Sequence, residues 1–203
     1  MKGRLLPLAA LFPALVAQAA PPRTDPDWPC QQIKVPELSE AAVWNGPPLG
    51  EHRAGWQNDP EVSELAHRLA QRRTPLDQAE AEIKSLAARA GAEKEAKLLT
   101  LLAALFDILS RERDSIIAGL DRFGARQKTL AANIRVENEK LQALQRSAQP
   151  DQAEIQTLTE RLSWDLKVFQ DRRESLSYAC NAPTLVEQRL FALARLIGGL
   201  LQS

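Results

Sequence analysis

The chain has 203 residues with 26 basic and 26 acidic side chains, and its hydrophobic and charged contents are 44% and 26%. These proportions are close to globular averages and exclude wholesale disorder. Balanced charge gives no global attraction to nucleic acid, and two histidines with two cysteines are too few for most metal clusters.

Lys2 and Arg4 give a basic start, Leu5 to Val16 an apolar stretch, and Ala17-Gln18-Ala19 a small-residue cleavage motif. That is the layout of a cleavable secretory signal peptide over residues 1–19, and it predicts a periplasmic location. The apolar stretch covers 12 residues and contains Pro7 and Pro13, short of the roughly 20 residues a spanning helix needs. No cysteine follows the motif directly, which disfavours a lipoprotein. Export gives meaning to Cys30 and Cys180, the only cysteines present. An oxidising compartment makes their disulfide the expected state, and neither sits in a C-x-x-C motif that would suggest redox chemistry. The bridge closes a 150-residue loop, for which chain entropy gives at most about 5 kcal/mol.

Residues 20–58 are predicted to form an extended strap. Residues 20 to 60 hold eight of the 13 prolines and three of the four tryptophans, Trp28, Trp44 and Trp56. The prolines forbid a long helix, and the apolar content is too high for a free linker. One short turn is expected over Ser39 to Trp44. Residues 59–91 read as a short helical hairpin. Asp59 caps a first helix with Pro60 at its first position, Thr74 is expected to cap a second ahead of Pro75, and Gly91 ends it. Val62, Leu65, Ala66 and Leu69, then Leu76, Ala79, Ile83, Leu86 and Ala90, fall at helical spacing.

Residues 92–179 are predicted to form a long antiparallel coiled-coil-like hairpin. Alternating steps of three and four from Leu99 to Leu144 visit 14 positions, of which 11 are apolar; Arg113, Gln127 and Glu137 interrupt the seam. Ala148-Gln149-Pro150-Asp151 is the turn, and Ile155, Leu158, Leu162, Leu166, Phe169 and Leu176 supply the returning stripe. At equal rise, paired residues have numbers summing to about 298. Glu137 then faces Arg161, Leu130 faces Val168 and Phe169, and Phe123 faces Ser175 and Leu176. Cys180 falls level with residue 118, so Gly119, one of two costly helical glycines with Gly124, marks either a close approach of the strap to the outgoing helix or a simple kink. Asn181-Ala182-Pro183 is expected to break the return arm. A separate C-terminal helix over residues 180–203 would then begin at a Thr184/Glu187 capping box. The fold class is all-α: a long helical hairpin with short helices and a Pro/Trp-rich strap.

Catalytic signals are weak. The chain has no G-x-S-x-G, H-E-x-x-H or phosphate-loop motif, so no catalytic, metal or cofactor residue is assigned and the expectation is a non-enzyme. His52 and His67 lack a flanking ligand cluster. Arg122, Arg126, Lys128 and Arg135 form a small basic run, read chiefly as a solvated flank. The last helix has only Arg189 and Arg195 on its polar side, so packing on the hairpin is favoured over contact with a membrane surface.

Asp27-Trp28-Pro29-Cys30-Gln31-Gln32-Ile33-Lys34-Val35-Pro36-Glu37-Leu38-Ser39, followed by Val43-Trp44 and Gly46-Pro47, resembles an exported bacterial helical family with a D-W-P-C-x-Q-x-K-V-P-E-L-S motif. Asp107, Arg111-Glu112-Arg113, Phe123-Gly124, Cys180 with Pro183, and Glu187 to Ala194 extend the resemblance over nearly the whole exported chain. It implies export and a helical fold and brings no catalytic residue. Two functions follow as expectations. The first is a periplasmic structural or adaptor protein holding another periplasmic protein or itself, with Trp28, Trp44, Trp56 and the four cations as contact surface. The second is an accessory, weakly hydrolytic role at the strap using Asp25, Asp27, Glu51 and His52.

Overall fold

The computed structural model describes residues 25–202, so the signal segment expected over residues 1–19 lies outside the described residues. The described chain is all-α, with no strand. Two helical turns, α1 (Glu40–Val43) and α2 (Gly50–Arg53), and a 3-10 turn at Trp56–Asn58 punctuate an otherwise irregular strap. Next come α3 (Pro60–Ala70) and α4 (Leu76–Ala90), the short hairpin. The long antiparallel hairpin is α5 (Lys94–Gln145) and α6 (Gln152–Leu201).

Local chemistry sets most of these ends. The Asp59 carboxylate accepts from the Val62 N–H with Pro60 at the first helical position, and Asp151 accepts from the N–H groups of Ala153 and Glu154 to start α6. Gly91 ends α4 at φ 54°, where a side chain would be strained. Thr74 is not the cap it was expected to be. Pro75 takes that place, and the Thr74 hydroxyl instead donates to the Arg68 carbonyl at the end of α3, 2.9 Å away. The helix therefore starts at Leu76, which stands exposed rather than in the apolar face.

The expected break at Asn181-Ala182-Pro183 does not occur. α6 runs through Pro183 for 50 residues, so the return arm and the C-terminal helix are one element and no capping box forms at Thr184. Proline inside a helix costs about 3 kcal/mol or more, because it removes one hydrogen bond and crowds the preceding turn. Pro183 is itself buried, and tertiary ties hold the helix on both sides of it. Cys180 is bonded to Cys30, and Glu187 is held by Arg113. The two arms, 52 and 50 residues long, each reach about 75 Å.

The core lies at the base of this shaft. Val62, Leu65 and Leu69 of α3 and Ile83 and Leu86 of α4 pack with Leu98, Leu102, Leu105 and Leu109 of α5 and Leu190, Leu193 and Ile197 of α6. Leu190, Leu193, Ala194 and Ile197 bury one face of the apolar end of α6, while Phe191 is exposed, and no helix among the described residues is long and apolar enough to cross a membrane. The buried Arg189 guanidinium donates through Nε and Nη2 to the Leu69 carbonyl at 2.9 and 2.7 Å. It thereby satisfies an acceptor that the end of α3 leaves open.

Beyond the base, every seam position from Leu99 to Leu144 is buried or half-buried. All three polar interruptions have partners. Glu137 pairs with Arg161 at 2.9 Å, as the register arithmetic requires, and Gln127 donates to the Phe169 carbonyl at 3.4 Å. Arg113 donates to Glu187 of the return arm and to the Val35 carbonyl of the strap. On the return arm Leu158 and Leu162 are buried, but Leu166 is exposed and does not belong to the stripe.

Candidate functional site

The strap is fixed to the shaft by a chain of specific contacts. Cys30 and Cys180 are disulfide-bonded, and the Gln32 side-chain amide donates to the Cys180 carbonyl at 2.5 Å. Trp28 donates its indole N–H to the Gln32 carbonyl at 2.7 Å, folding the strap on itself. Lys34 lies 5.8 Å from the centre of the Trp28 ring. Its ammonium bridges Asp25 at 2.5 Å and Asp121 of α5 at 2.8 Å. Hydrogen bonds to Asp121 and then Asp25 hold the Lys34 pKa above its ordinary value, and the bond from Lys34 holds Asp25 below its own.

The approach at a helical glycine is real, but the glycine is Gly124. A Cβ there would overlap the Asp27 carbonyl oxygen and lie 3.3 Å from the Pro29 ring. At Gly119 the nearest atom is Nη2 of Arg122, 3.9 Å away, so the expected docking point is open. The offset has a simple origin. From Cys30 the strap runs back towards the tip, and the three residues to Asp27 can reach at most about 10 Å, the rise of some six helical residues.

Arg113 is the second anchor and is only 2% exposed. Its guanidinium donates to Glu187 at 2.5 Å and to the carbonyls of Val35 at 2.6 Å and Pro36 at 3.3 Å. One side chain thus ties strap, outgoing arm and return arm together. Its place as a polar residue in an apolar seam was the signal in the sequence; its partners, 74 to 78 residues away, were not readable.

The expected contact residues separate. Trp56 is 3% exposed, donates to Asp107 at 3.1 Å and meets His67 edge-on; it belongs to the core rather than to a contact surface. Trp28 and Trp44 are half-buried. Trp44 donates to the Pro47 carbonyl and rests on Gly198, where a Cβ would come within 3.1 Å of the ring. The four cations do not form one patch either. Arg122 and Arg126 each precede a seam residue, whereas Lys128 and Arg135 each follow one, so the pairs lie on opposite flanks of the shaft. Lys128 is engaged by Asp27 at 2.9 Å.

The proposed strap carboxylates and His52 also lie apart. Asp25 and Asp27 are held by Lys34 and Lys128, whereas His52 contacts Thr100. Thr100 and Gly124 are separated along α5 by roughly 36 Å, so these groups do not share a site. An open groove of about 430 Å³ runs between strap and α6, lined by Gln31, Gln32, Arg173, Leu176 and Ser177 with the disulfide. Among the described residues no three His, Cys, Asp or Glu side chains are grouped to hold a metal ion.

What the sequence reading missed is the other flank of the shaft. Trp164 is 65% and Tyr178 83% exposed, with Val136 and Leu185 also uncovered. Trp164, Tyr178 and Leu185 recur at multiples of seven residues, a spacing that keeps them in line along a supercoiled helix. That spacing was the available signal. The chain matches no protein-family model, and no curated protein or solved structure is significantly similar to it.

Proposed function

We propose that this chain is an exported structural or adaptor protein that acts in the periplasm through protein–protein contacts along its helical shaft. The observation that carries the reading is the pair Trp164 and Tyr178, two large aromatic side chains left exposed on one long helix. Aromatic residues are enriched where protein surfaces meet, and exposed apolar rows on a shaft suit helix-to-helix contact. The strap supports this by bracing the shaft: Asp25 and Asp27 are held in ion pairs with Lys34 and Lys128.

Affinity capture of the tagged chain from the periplasm under native conditions tests the reading. A protein, or a second copy, should be recovered with the wild type and lost with Trp164→Ala. Purely monomeric protein with no companion, or recovery indifferent to Trp164, counts against it. Export itself is checked by N-terminal sequencing, which should find a chain beginning at Ala20.

A further inference from the structure

The bare flank of the shaft carries a pattern that is self-complementary. Its identity as a flank follows from the contacts that bridge the arms. Lys140–Glu154, at 2.7 Å, joins residues that each precede a seam position. Arg161, which precedes Leu162, reaches Glu137 at 2.9 Å. In an antiparallel pair, positions preceding the seam on both helices face the same side. The strap occupies the opposite side, on Gly124 and Lys128, each following a seam residue. Near the base the bare flank is already covered by a helix pair, since Arg189, which precedes Leu190, donates to α3. Further up, among the described residues, only Gln32 of the strap borders it, in a cleft beside Tyr178 and Leu185, and Trp164 and Tyr178 stay exposed.

Along that flank of α6, Trp164, Asp171 and Tyr178 lie seven residues apart. On its outer edge stand Lys167 and Glu174, both exposed; among the described residues Lys167 pairs with Asp171 on its own helix at 3.3 Å. We infer that this face binds a second copy of the chain, with two α6 helices antiparallel about a two-fold axis near Asp171. Paired residues then have numbers summing to about 342. Trp164 meets Tyr178 of the second copy, and Lys167 meets its Glu174; the axis repeats both contacts. An isologous interface requires this self-complementarity of shape and charge. Asp171 is set against its own mate, with Lys167 one turn away on each helix.

This inference rests on the reading of the shaft as a protein-contact surface, and the measurements separate the two. Sedimentation equilibrium of the full exported chain, with its disulfide formed, should show a dimer at micromolar concentration. Trp164→Ala with Tyr178→Ala should yield a monomer of unchanged helicity, since both side chains are exposed and outside the core. Lys167→Glu alone and Glu174→Lys alone should each weaken the dimer about tenfold, and the double exchange should restore it. Asp171→Asn should strengthen it. A chain that stays monomeric at tens of micromolar, or charge reversals that fail to rescue one another, overturns the two-fold register. A photoreactive residue at position 175 in cells supplies the second arm. Cross-links between copies support the dimer; cross-links only to another protein overturn it and leave the contact reading standing; none at all overturns both.

Discussion

Replacing Gly124 by alanine sets two effects of known sign against each other. Alanine in a helix interior is favoured over glycine by about 1 kcal/mol, so the substitution is stabilising wherever there is room. At Gly124 there is none: the added Cβ would overlap the Asp27 carbonyl oxygen and stand 3.0 Å from its carbon. The strap cannot retreat cheaply, because Cys30 is bonded to Cys180 and Lys34 is tied to Asp121 on either side. Overpacking of this kind costs about 1–3 kcal/mol. It involves backbone rather than a flexible side chain, which puts it at the upper end and leaves a net loss of about 1–2 kcal/mol. For a chain of this size that lowers the melting temperature by about 2–8 °C. Gly119→Ala is the matched control, with nothing nearer than 3.9 Å, and should gain up to about 1 kcal/mol. Thermal unfolding followed by helix circular dichroism measures both. Reducing the disulfide frees the strap, so the Gly124→Ala penalty should shrink or reverse while the Gly119→Ala gain persists. A Gly124→Ala protein as stable as wild type in the oxidised state would refute the close approach.

Arg113→Met removes the guanidinium that serves Val35, Pro36 and Glu187. Breaking such a buried pair should cost about 2–4 kcal/mol in chemical denaturation, with Arg113→Lys recovering little because lysine lacks the planar fork. Arg189→Leu strips the Leu69 carbonyl of both donors and should cost about 1–3 kcal/mol, read as earlier loss of α3 protection in hydrogen exchange. The Lys34 tie depends on pH at both ends. Asp25 is held below its ordinary 3.8, so its contribution is present above that pH and lost as pH falls through the lowered value. Lys34 is held above its ordinary 10.5, so its contribution is present below that pH and lost as pH rises through the raised value. The stability gap between wild type and Lys34→Met should be flat between those limits and narrow outside them. A gap that varies across neutral pH would contradict this assignment.

The seam was legible because a repeat sustained from Leu99 to Leu144 leaves one arrangement that buries it, and antiparallel register then follows from the turn. Glu137 and Arg161 met for that reason. Continuity through Pro183 was not legible. The local signal of Asn181-Ala182-Pro183-Thr184 is a genuine stop, overridden by a disulfide and an ion pair whose other halves lie far along the chain. Trp56 failed likewise: in a proline-rich stretch it reads as surface, and only Asp107, 51 residues away, turns it inward. The site was least legible where its residues lie off the seam. Trp164 and Tyr178 belong to no apolar stripe of the intramolecular hairpin, so a search for core residues passes over them.

The Cys30–Cys180 bond has a consequence for severed chains. It turns the stretch between the two cysteines into a covalent ring that contains the entire tip, including the exposed turn at Arg146 to Asp151. A protease nicking that turn cuts the ring once, leaving two fragments that still travel as one molecule and part only on reduction. The tip is therefore a place where the polypeptide can be opened, or a segment spliced in, without releasing either arm. A nick at Gln202, outside the ring, would shed its piece at once.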